Sequence, residues 1–267
     1  MSATQAPGES FTVGAVDVDG FTVRYWEAGE GTPIVWLHGA GSPQFSRALD
    51  LVASENRVYM LELPGFGESA LNDRTASAAD MAATVAEVIR ALGLTSAHVW
   101  GTSMGGVIAT HLALDHPDLV DSLILEGPAP FRTGGLNPAE TDPADLAKAF
   151  NRHPDRVAWR RPSAPDPARW PLITKIMGGE HDSELEARLS QIQAPTLALW
   201  GTDDLVTPAA AGRVYKEHVP HCSYVLVYDA AHDVQGDRPE ACSDLVRDFV
   251  ARGLNFVISS EDARVNP

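Results

Sequence analysis

The segment around Ser103 has the residue types and spacing that suit nucleophilic catalysis. Gly101, Ser103 and Gly105 form a Gly-x-Ser-x-Gly pattern. It directly follows an apolar run that ends at Trp100, and it precedes an apolar helical stretch, residues 107–114. Glycines at both ends permit a tight turn in which larger side chains would collide with the neighbouring strand or helix. A serine at the tip of that turn lies at a helix N-terminus, which favours the negative charge that develops during attack on a carbonyl.

The elements that must position this serine follow from the apolar pattern. Short apolar runs alternate with amphipathic segments, which indicates a mostly parallel sheet covered by helices. The first two runs, residues 11–17 and 21–26, alternate in polarity around a tight turn and predict an antiparallel hairpin at the sheet edge. Six later runs predict further strands: 34–37, 58–61, 98–100, 123–125, 196–200 and 224–228. We therefore expect an α/β fold with eight strands, in which Ser103 follows the fifth.

Three further motifs each follow a predicted strand. They are the segments 38–41 (HGAG), 63–69 (LPGFGES) and 200–208 (WGTDDLVTP). Each falls at the carboxyl end of its strand, where open α/β sheets build their sites. With the serine motif, these segments make the sequence similar to the α/β-hydrolase family over nearly all of its length except the long segment between the sixth and seventh predicted strands. The resemblance implies an eight-stranded, mostly parallel sheet flanked by helices and a serine hydrolase that needs no cofactor.

The resemblance also implies the chain order nucleophile, acid, base. A serine hydroxyl is a poor nucleophile unless a base takes its proton, so a histidine oriented by a carboxylate is required. His232 is the histidine of nine that lies beyond the last predicted strand, at the position the family gives its base. The family pattern Gly-x-x-Asp-x-x-x-Pro, read over residues 201–208, selects Asp204 as the acid and leaves the adjacent Asp203 as a solvated neighbour. Ser103, Asp204 and His232 are thus the expected catalytic residues.

Glu126, which ends the sixth predicted strand, is a second candidate for the acid because some family members place their acid there. If Asp204 is the acid, we expect Glu126 to line the pocket floor as a possible substrate-binding group. Burial would then raise the pKa of its carboxyl group and allow it to donate a hydrogen bond. The resemblance assigns the oxyanion hole to the backbone N–H groups of Met104 and Ala40, and we expect His38 to brace the loop that carries Ala40.

The regular alternation of elements fails once, between the sixth and seventh predicted strands. That segment, residues 127–193, contains nine prolines and several short helical fragments. Because it is too long for a simple crossover, we interpret it as a helical lid (cap) inserted after strand 6. The core domain would then comprise residues 1–126 and 194–267.

Within this insertion, Arg152, Arg156 and Arg160 recur every four residues, with Trp159 and Arg161 adjacent. The simpler interpretation is a solvated basic face paired with the acidic body of the protein. The alternative makes Arg156, Trp159 and Arg160 possible substrate-binding residues. One arginine would then bind a substrate carboxylate through two parallel hydrogen bonds.

Composition excludes several other classes of protein. A formal net charge of −16 argues against nucleic acid as a partner, because phosphate binding needs clustered cations. The longest uncharged stretch, residues 91–114, contains four glycines, two histidines and several hydroxyl side chains, so we expect no membrane association through it. The first nine residues lack the charged and apolar regions of a secretion signal, and only Cys222 and Cys242 are present. A cytoplasmic location is the expectation.

The sequence contains no phosphate-binding loop, no Cys/His spacing typical of a metal site and no dinucleotide fingerprint. We therefore expect no metal and no cofactor, and a small molecule as the substrate. These sequence motifs do not indicate an oligomeric state.

Three functions remain open. With serine as nucleophile, hydrolysis of a small carboxylic ester is the first choice. The runner-up is hydrolysis of a carbon–carbon bond in a vinylogous diketone, since such hydrolases resemble this chain in size and in Ser-Met-Gly-Gly. They usually have Asn before the serine and Trp after the base, where this chain has Thr102 and Asp233. The third possibility is a ligand-binding relative that uses the same residues without turnover.

Overall fold

A nine-stranded sheet runs through the residues that the structure, a computed structural model, describes, namely 6–136, 140–154, 167–256 and 264–265. The strands are β1 (Thr12–Val18), β2 (Phe21–Ala28), β3 (Pro33–Leu37), β4 (Arg57–Leu61), β5 (Ala97–Thr102), β6 (Val120–Glu126), β7 (Thr196–Gly201), β8 (Cys222–Val227) and β9 (Arg264–Val265). Their spatial order is β1-β2-β4-β3-β5-β6-β7-β8-β9. Strands β3 to β8 pair in parallel, whereas β1 with β2, β2 with β4 and β8 with β9 are antiparallel. The eight predicted strands and the edge hairpin are confirmed, and β9 adds a short ninth strand.

Helices cover both faces of this sheet. They are α1 (Arg47–Ala53), α2 (Ala78–Ala91), α3 (Met104–Asp115), α4 (Pro143–Phe150), α5 (Trp170–Met177), α6 (Ser183–Arg188), α7 (Ala210–His218), α8 (Val234–Asp237) and α9 (Pro239–Arg252). Helix α2 begins where Ser77 accepts a hydrogen bond from the Asp80 N–H, and Gly93 follows its end at a φ of 76°. These are the usual start and stop signals of a helix.

The central strands are apolar on both sides because helices pack on both. All six residues of β7 are buried. In β5, Val99 packs into the cluster that contains α2, α3 and α7, while Trp100 packs into the opposite cluster with α1 and α9. Near-continuous apolar strands of this kind are typical of parallel sheets covered by two helical layers. The packing therefore fixes the carboxyl ends of β3 to β8 along one edge, where the candidate site residues lie.

The connection between β6 and β7 contains α4, α5 and α6, in the segment where the sequence predicts a lid. The later part of this segment packs on the body of the protein. Ile173 and Ile176 of α5 and Leu185 of α6 are buried in the same apolar cluster as the sheet, and α5 contacts α2 and α3. The division into a core domain (1–126 and 194–267) and a lid (127–193) remains a prediction. Among the described residues, no helix is both long and apolar enough to cross a bilayer.

Candidate active site

Ser103 occupies a sharp turn between β5 and α3. Its backbone has φ 52° and ψ −114°, a conformation that residues other than glycine rarely adopt. Such conformations cost about 1–3 kcal/mol and persist where the surroundings impose them. One such restraint is the Ser103 N–H, which donates to the Glu126 carbonyl oxygen at 2.9 Å and ties the turn to β6. The turn leaves Ser103 half-buried at the carboxyl edge of the sheet.

The flanking glycines are required by close backbone packing. A Cβ atom on Gly101 would lie 2.4 Å from the Gly105 carbonyl oxygen. A Cβ atom on Gly105 would lie 2.1 Å from the Leu37 carbonyl oxygen, which belongs to β3. Because backbone atoms cannot swing aside as side chains do, both positions need glycine for the turn to form.

Gly105→Ala is therefore expected to destabilise the fold and reduce activity together. Its methyl group would push α3 away from β3, at a cost of about 2 kcal/mol or more and a Tm lower by at least about 4 °C. Thermal unfolding followed by circular dichroism measures the change. The matched control is Gly179→Ala, because no atom lies within 4 Å of a Cβ there. Equal Tm values for the two variants would show that the turn can relax around a methyl group.

His232 and Asp204 form a buried, directly bonded pair. The His232 Nδ1–H donates to Asp204 Oδ2 at 2.9 Å, and both side chains are almost fully buried. The other carboxylate oxygen, Oδ1, accepts the backbone N–H groups of Val206 (2.9 Å) and Thr207 (2.8 Å). The Thr207 hydroxyl lies 2.8 Å from Oδ2 and can donate to it. The bond to Asp204 Oδ2 places the neutral imidazole proton on Nδ1, which leaves the Nε2 lone pair free to take a proton.

The Nε2 atom of His232 is buried and has no hydrogen-bond partner among the described residues. The chain after β6 passes against the pair, because a Cβ on Gly127 would lie 3.3 Å from both Asp204 Oδ2 and His232 Cε1. The structure therefore brings the predicted base and the predicted acid together and leaves His232 Nε2 without a hydrogen-bond partner among the described residues. Catalytic hydrogen bonds to a nucleophile are often long or poorly aligned until substrate binds.

Burial and nearby charges act on the pKa of His232 in opposite directions. Burial lowers this pKa, but the charge and hydrogen bond of Asp204, with the charges of Glu126 and Asp233, raise it above the ordinary value of 6.5. The net effect keeps the imidazolium form stable once a proton has been taken.

This raised pKa predicts how the reaction rate depends on pH. A base must be neutral to accept a proton, and the imidazolium form dominates below the pKa, so kcat/KM should fall as the pH drops. We expect the midpoint of that fall to lie above pH 6.5, because the pKa of His232 is raised from that value. Rates measured from about pH 5 to about pH 9 would check it. A midpoint below 6.5 would mean that burial outweighs the neighbouring carboxylates.

Asp203 and Glu126, the other carboxylates considered, do not bond to the base. Asp203 is exposed, and its N–H donates to the Ala230 carbonyl oxygen at 2.9 Å. Glu126 is fully buried, and its oxygens accept four hydrogen bonds, from Trp100 Nε1 (3.2 Å), Thr102 Oγ1 (2.9 Å), Gln235 N (3.1 Å) and Gln235 Nε2 (3.0 Å).

These contacts correct the expectation that Glu126 lines a pocket floor and binds substrate. Its side chain has no exposed surface, because it lies inside the protein between β5, β6 and α8. Burial does raise the pKa of its carboxyl group, in the expected direction, although the hydrogen bonds oppose that shift. Hydrogen bonds from Thr102 and Gln235 therefore tie Glu126 to the β5–α3 turn and to the segment after His232.

The predicted oxyanion donors belong to segments next to Ser103. Met104 is the first residue of α3, so its N–H has no acceptor within the helix. A Cβ on Gly39 would lie 3.3 Å from Ser103 Cβ, which places the loop containing Ala40 beside the serine. The roles of Met104 and Ala40 as oxyanion donors remain predictions.

His38 holds that loop in place. Its Nδ1–H donates to the Gly39 carbonyl oxygen at 2.6 Å, and the Leu63 N–H donates to its Nε2 at 3.1 Å. Burial lowers the pKa of His38 to about 4, so the ring is neutral and both nitrogens are engaged. This is the bracing arrangement that the sequence suggests for His38.

The basic residues of the insertion are only partly described. Arg156, Trp159 and Arg160 lie outside the described residues. Arg152 is described: its side chain is more than half exposed and lies 3.7 Å from Asp229 in an ion pair. This arrangement is a solvated contact.

Two contacts near His232 involve residues that the motifs did not mark. The ring of Phe150, at the end of α4, packs edge-on against the His232 ring with 5.2 Å between centroids. Gln235, three residues after the base, bonds to Glu126. The Gln235 contact could have been suspected from its proximity to His232 in sequence. Phe150 carried no such signal, because a single aromatic residue in an irregular insertion has many possible neighbours. No cluster of three or more candidate metal ligands occurs in the part of the chain that the structure describes.

The sheet order, the serine turn after β5 and the carboxylate–histidine pair after β7 and β8 together define a hydrolase of the α/β class. A family model described as alpha/beta hydrolase fold matches residues 32–164. The chain belongs to this family.

Characterised relatives differ in the reactions that their names describe. The chain is 29% identical over 263 residues to a 2-hydroxy-6-oxononadienedioate/2-hydroxy-6-oxononatrienedioate hydrolase of Pseudomonas putida, covering 85% of this chain and 91% of that protein. It is 31% identical over 254 residues to the dihydrolipoyllysine-residue acetyltransferase component of an acetoin cleaving system from Cupriavidus necator, covering 86% of this chain and 67% of the relative. The solved structure of an N-acyl homoserine lactone degrading enzyme superposes with a TM-score of 0.71 at 27% identity, covering 88% and 100% of the two chains.

Proposed function

We propose that the protein is a serine hydrolase that cleaves a small-molecule carboxylic ester through an acyl-enzyme on Ser103, without a cofactor. The observation that carries this proposal is the buried Asp204–His232 pair, whose Nε2 is unengaged, at the same sheet edge as a serine on a strained turn. In this pair His232 Nδ1–H donates to Asp204, so Nε2 can act as the base that takes a proton from a hydroxyl group.

Each step of the proposed reaction uses a group of this chain. Ser103 Oγ attacks the ester carbonyl carbon while His232 Nε2 takes the hydroxyl proton, and Asp204 stabilises the resulting imidazolium. The N–H groups of Met104 and Ala40 bind the carbonyl oxygen as it becomes negatively charged. His232 then gives its proton to the departing alkoxide, which leaves as an alcohol. A water molecule, deprotonated by His232, attacks the acyl-enzyme and releases the acid with Ser103 restored.

Carbon–carbon bond hydrolysis is the second candidate, and the similarity to the Pseudomonas putida hydrolase favours it. The two positions at which the sequence departs from such hydrolases are engaged within the protein. The Thr102 hydroxyl group donates a hydrogen bond to Glu126 Oε2 at 2.9 Å. Asp233 accepts a hydrogen bond from Asn151 Nδ2 at 2.7 Å. The departures in residue type at both positions support the ester reaction over carbon–carbon bond hydrolysis.

A substrate panel distinguishes the candidates. Purified protein would be assayed with p-nitrophenyl esters of increasing acyl length, with lactones and with a vinylogous diketone, and the values of kcat/KM compared. Faster turnover of esters supports the first proposal, and faster turnover of the diketone supports the second. Stoichiometric labelling of Ser103 by a fluorophosphonate supports an enzyme, whereas tight ligand binding without labelling supports a binding protein.

The basic residues of the proposed lid give a prediction about substrate charge. If Arg156 or Arg160 binds a substrate carboxylate, Arg156→Ala or Arg160→Ala should raise KM at least about tenfold for an ester that carries a carboxylate. KM for a neutral ester of the same size should not change. Lys148→Ala is the matched control, because Lys148 is exposed on α4 and pairs locally with Asp145. Equal effects on both esters would assign the arginines to lid structure.

A further inference from the structure

The loop that carries His232 is bonded to a short piece of the insertion. We call residues 229–237 the base loop and residues 150–153 the stem. The Asp233 N–H donates to the Phe150 carbonyl oxygen at 2.8 Å, and Asn151 Nδ2 donates to Asp233 Oδ2 at 2.7 Å. These two bonds join the stem to the residue that directly follows the base.

Asp237 connects the same two segments from the other side of His232. Its carboxylate is buried, with 4% of the residue exposed. Oδ2 accepts the N–H of Arg152 at 2.8 Å and the N–H of Ala231 at 2.9 Å, and Oδ1 accepts the N–H of His153 at 2.9 Å. One carboxylate therefore holds two residues of the stem and the residue that directly precedes the base.

The opposite side of the base loop is fixed to the sheet. Gln235 donates to Glu126 from both its backbone and its side chain, at 3.1 and 3.0 Å. His232 thus lies in a loop restrained by β6 on one side and by the stem on the other. Three backbone N–H groups donate to the side chain of Asp237, so this one residue restrains both segments.

Catalysis by a base is sensitive to such restraints. A displacement of about 1 Å in a catalytic group can cost about a hundredfold in rate, because proton transfer needs the donor and acceptor in hydrogen-bond geometry. Two groups contact the polar edge of the imidazole ring, Asp204 Oδ2 and the Thr207 hydroxyl, at 2.9 and 3.2 Å from Nδ1, while Nε2 has no hydrogen-bond partner among the described residues. The position of the ring therefore depends on the backbone of the base loop.

We propose that Asp237 and Asn151 are positioning residues for His232, which hold the base loop against the stem so that the imidazole keeps its place between Asp204 and Ser103. This inference rests on the proposed function and deepens it. It makes the insertion part of the catalytic machinery, because the stem helps to set the geometry of the base.

The test compares Asp237→Asn, Asn151→Ala and Lys148→Ala with the wild type, all as full-length protein. In Asp237→Asn an amide NH₂ faces backbone donors, so the base loop should shift. We expect the rate of fluorophosphonate labelling at Ser103 and kcat on an ester to fall at least about tenfold, with KM changed less than about threefold. Asn151→Ala removes one bond and should show the same pattern about threefold or more. Lys148→Ala, which changes an exposed side chain of α4, should match the wild type.

The pH profile separates positioning from a loss of folded protein. The carboxyl groups facing His232 include those of Asp204, Glu126 and Asp233, and their charges raise its pKa against the effect of burial. Burial also raises the pKa of Glu126 and raises that of Asp233 to about 8, so Asp204 supplies the charge that persists through the acidic limb. A displaced base loop weakens the bond to Asp204, which lowers the pKa of His232, so the acidic limb of kcat/KM should move to lower pH. Partial unfolding would reduce the amplitude of the profile without moving its midpoint.

The labelling rate at Ser103 and the acidic limb of the pH profile together test the positioning role of Asp237 and Asn151. Reduced labelling together with a shifted acidic limb in both variants would support it. If Asp237→Asn does not fold, Asn151→Ala decides by the same two measurements. Wild-type labelling rates and an unshifted limb would overturn the positioning role while leaving the proposed function intact. Absence of Ser103 labelling in the wild type would overturn the proposed function, and this inference with it.

Discussion

Ser103→Ala is expected to lower kcat by about a millionfold while leaving the fold intact. Without the hydroxyl group no acyl-enzyme can form, and the remaining groups can only orient a water molecule. Turnover of the best ester from the substrate panel measures the loss. Intact-protein mass spectrometry after fluorophosphonate treatment shows whether the label is gone.

The fold of this variant should survive because Ser103 contributes little to packing. The residue is half-buried at the tip of its turn, and its backbone is held by the N–H bond to Glu126. We expect the free energy of unfolding to change by no more than about 0.5 kcal/mol, as for other substitutions that touch neither core nor cap. Retention of more than about a tenth of wild-type activity would contradict the assignment of Ser103 as nucleophile.

Asp204→Asn should have the second-largest effect, a loss of kcat of about ten-thousandfold. An amide carries no charge to stabilise the imidazolium form of His232, and its NH₂ group can hold the ring in the wrong tautomer. In the flipped orientation the NH₂ group would instead face the N–H donors of Val206 and Thr207, which bond to Asp204 Oδ1 at 2.9 and 2.8 Å. Steady-state kinetics on a single ester measures the loss.

Asp203→Asn is the matched control, since Asp203 is adjacent in sequence but exposed. It should retain activity within about twofold, as expected for a surface change. Glu126→Gln tests the alternative acid. A large loss of kcat in Glu126→Gln together with a small loss in Asp204→Asn would place the acid after β6 and overturn the assignment of Asp204.

Features set by neighbouring residues in the chain could be predicted from the sequence. Eight strands of the sheet are short apolar runs bounded by turn residues, so these strands and the edge hairpin followed from the local pattern. The turn at Ser103 followed from its glycines, because the backbone contacts of Gly101 and Gly105 exclude any side chain. The preference for Asp204 over Asp203 came from a family pattern, and the structure bonds Asp204 to His232.

Features set by distant packing could not be predicted in this way. Whether Glu126 faces a pocket or the interior depends on Trp100 and Gln235, which reach it from other elements. The contact of Phe150 with His232 depends on how the insertion folds back over 82 residues of sequence. The short strand β9 depends on pairing with β8, since two residues carry no periodic signal of their own. In each case the local residue types fit several environments equally well.

The strained backbone at Ser103 means that folding and reactivity favour different residues at position 103. Glycine, which adopts a φ of 52° without penalty, would suit the turn better than serine if folding alone were selected. If Ser103 is the nucleophile, serine persists there because the reaction needs its hydroxyl group. In lineages in which the ancestral reaction is lost, this position should therefore be among the first to drift, and it should drift towards glycine.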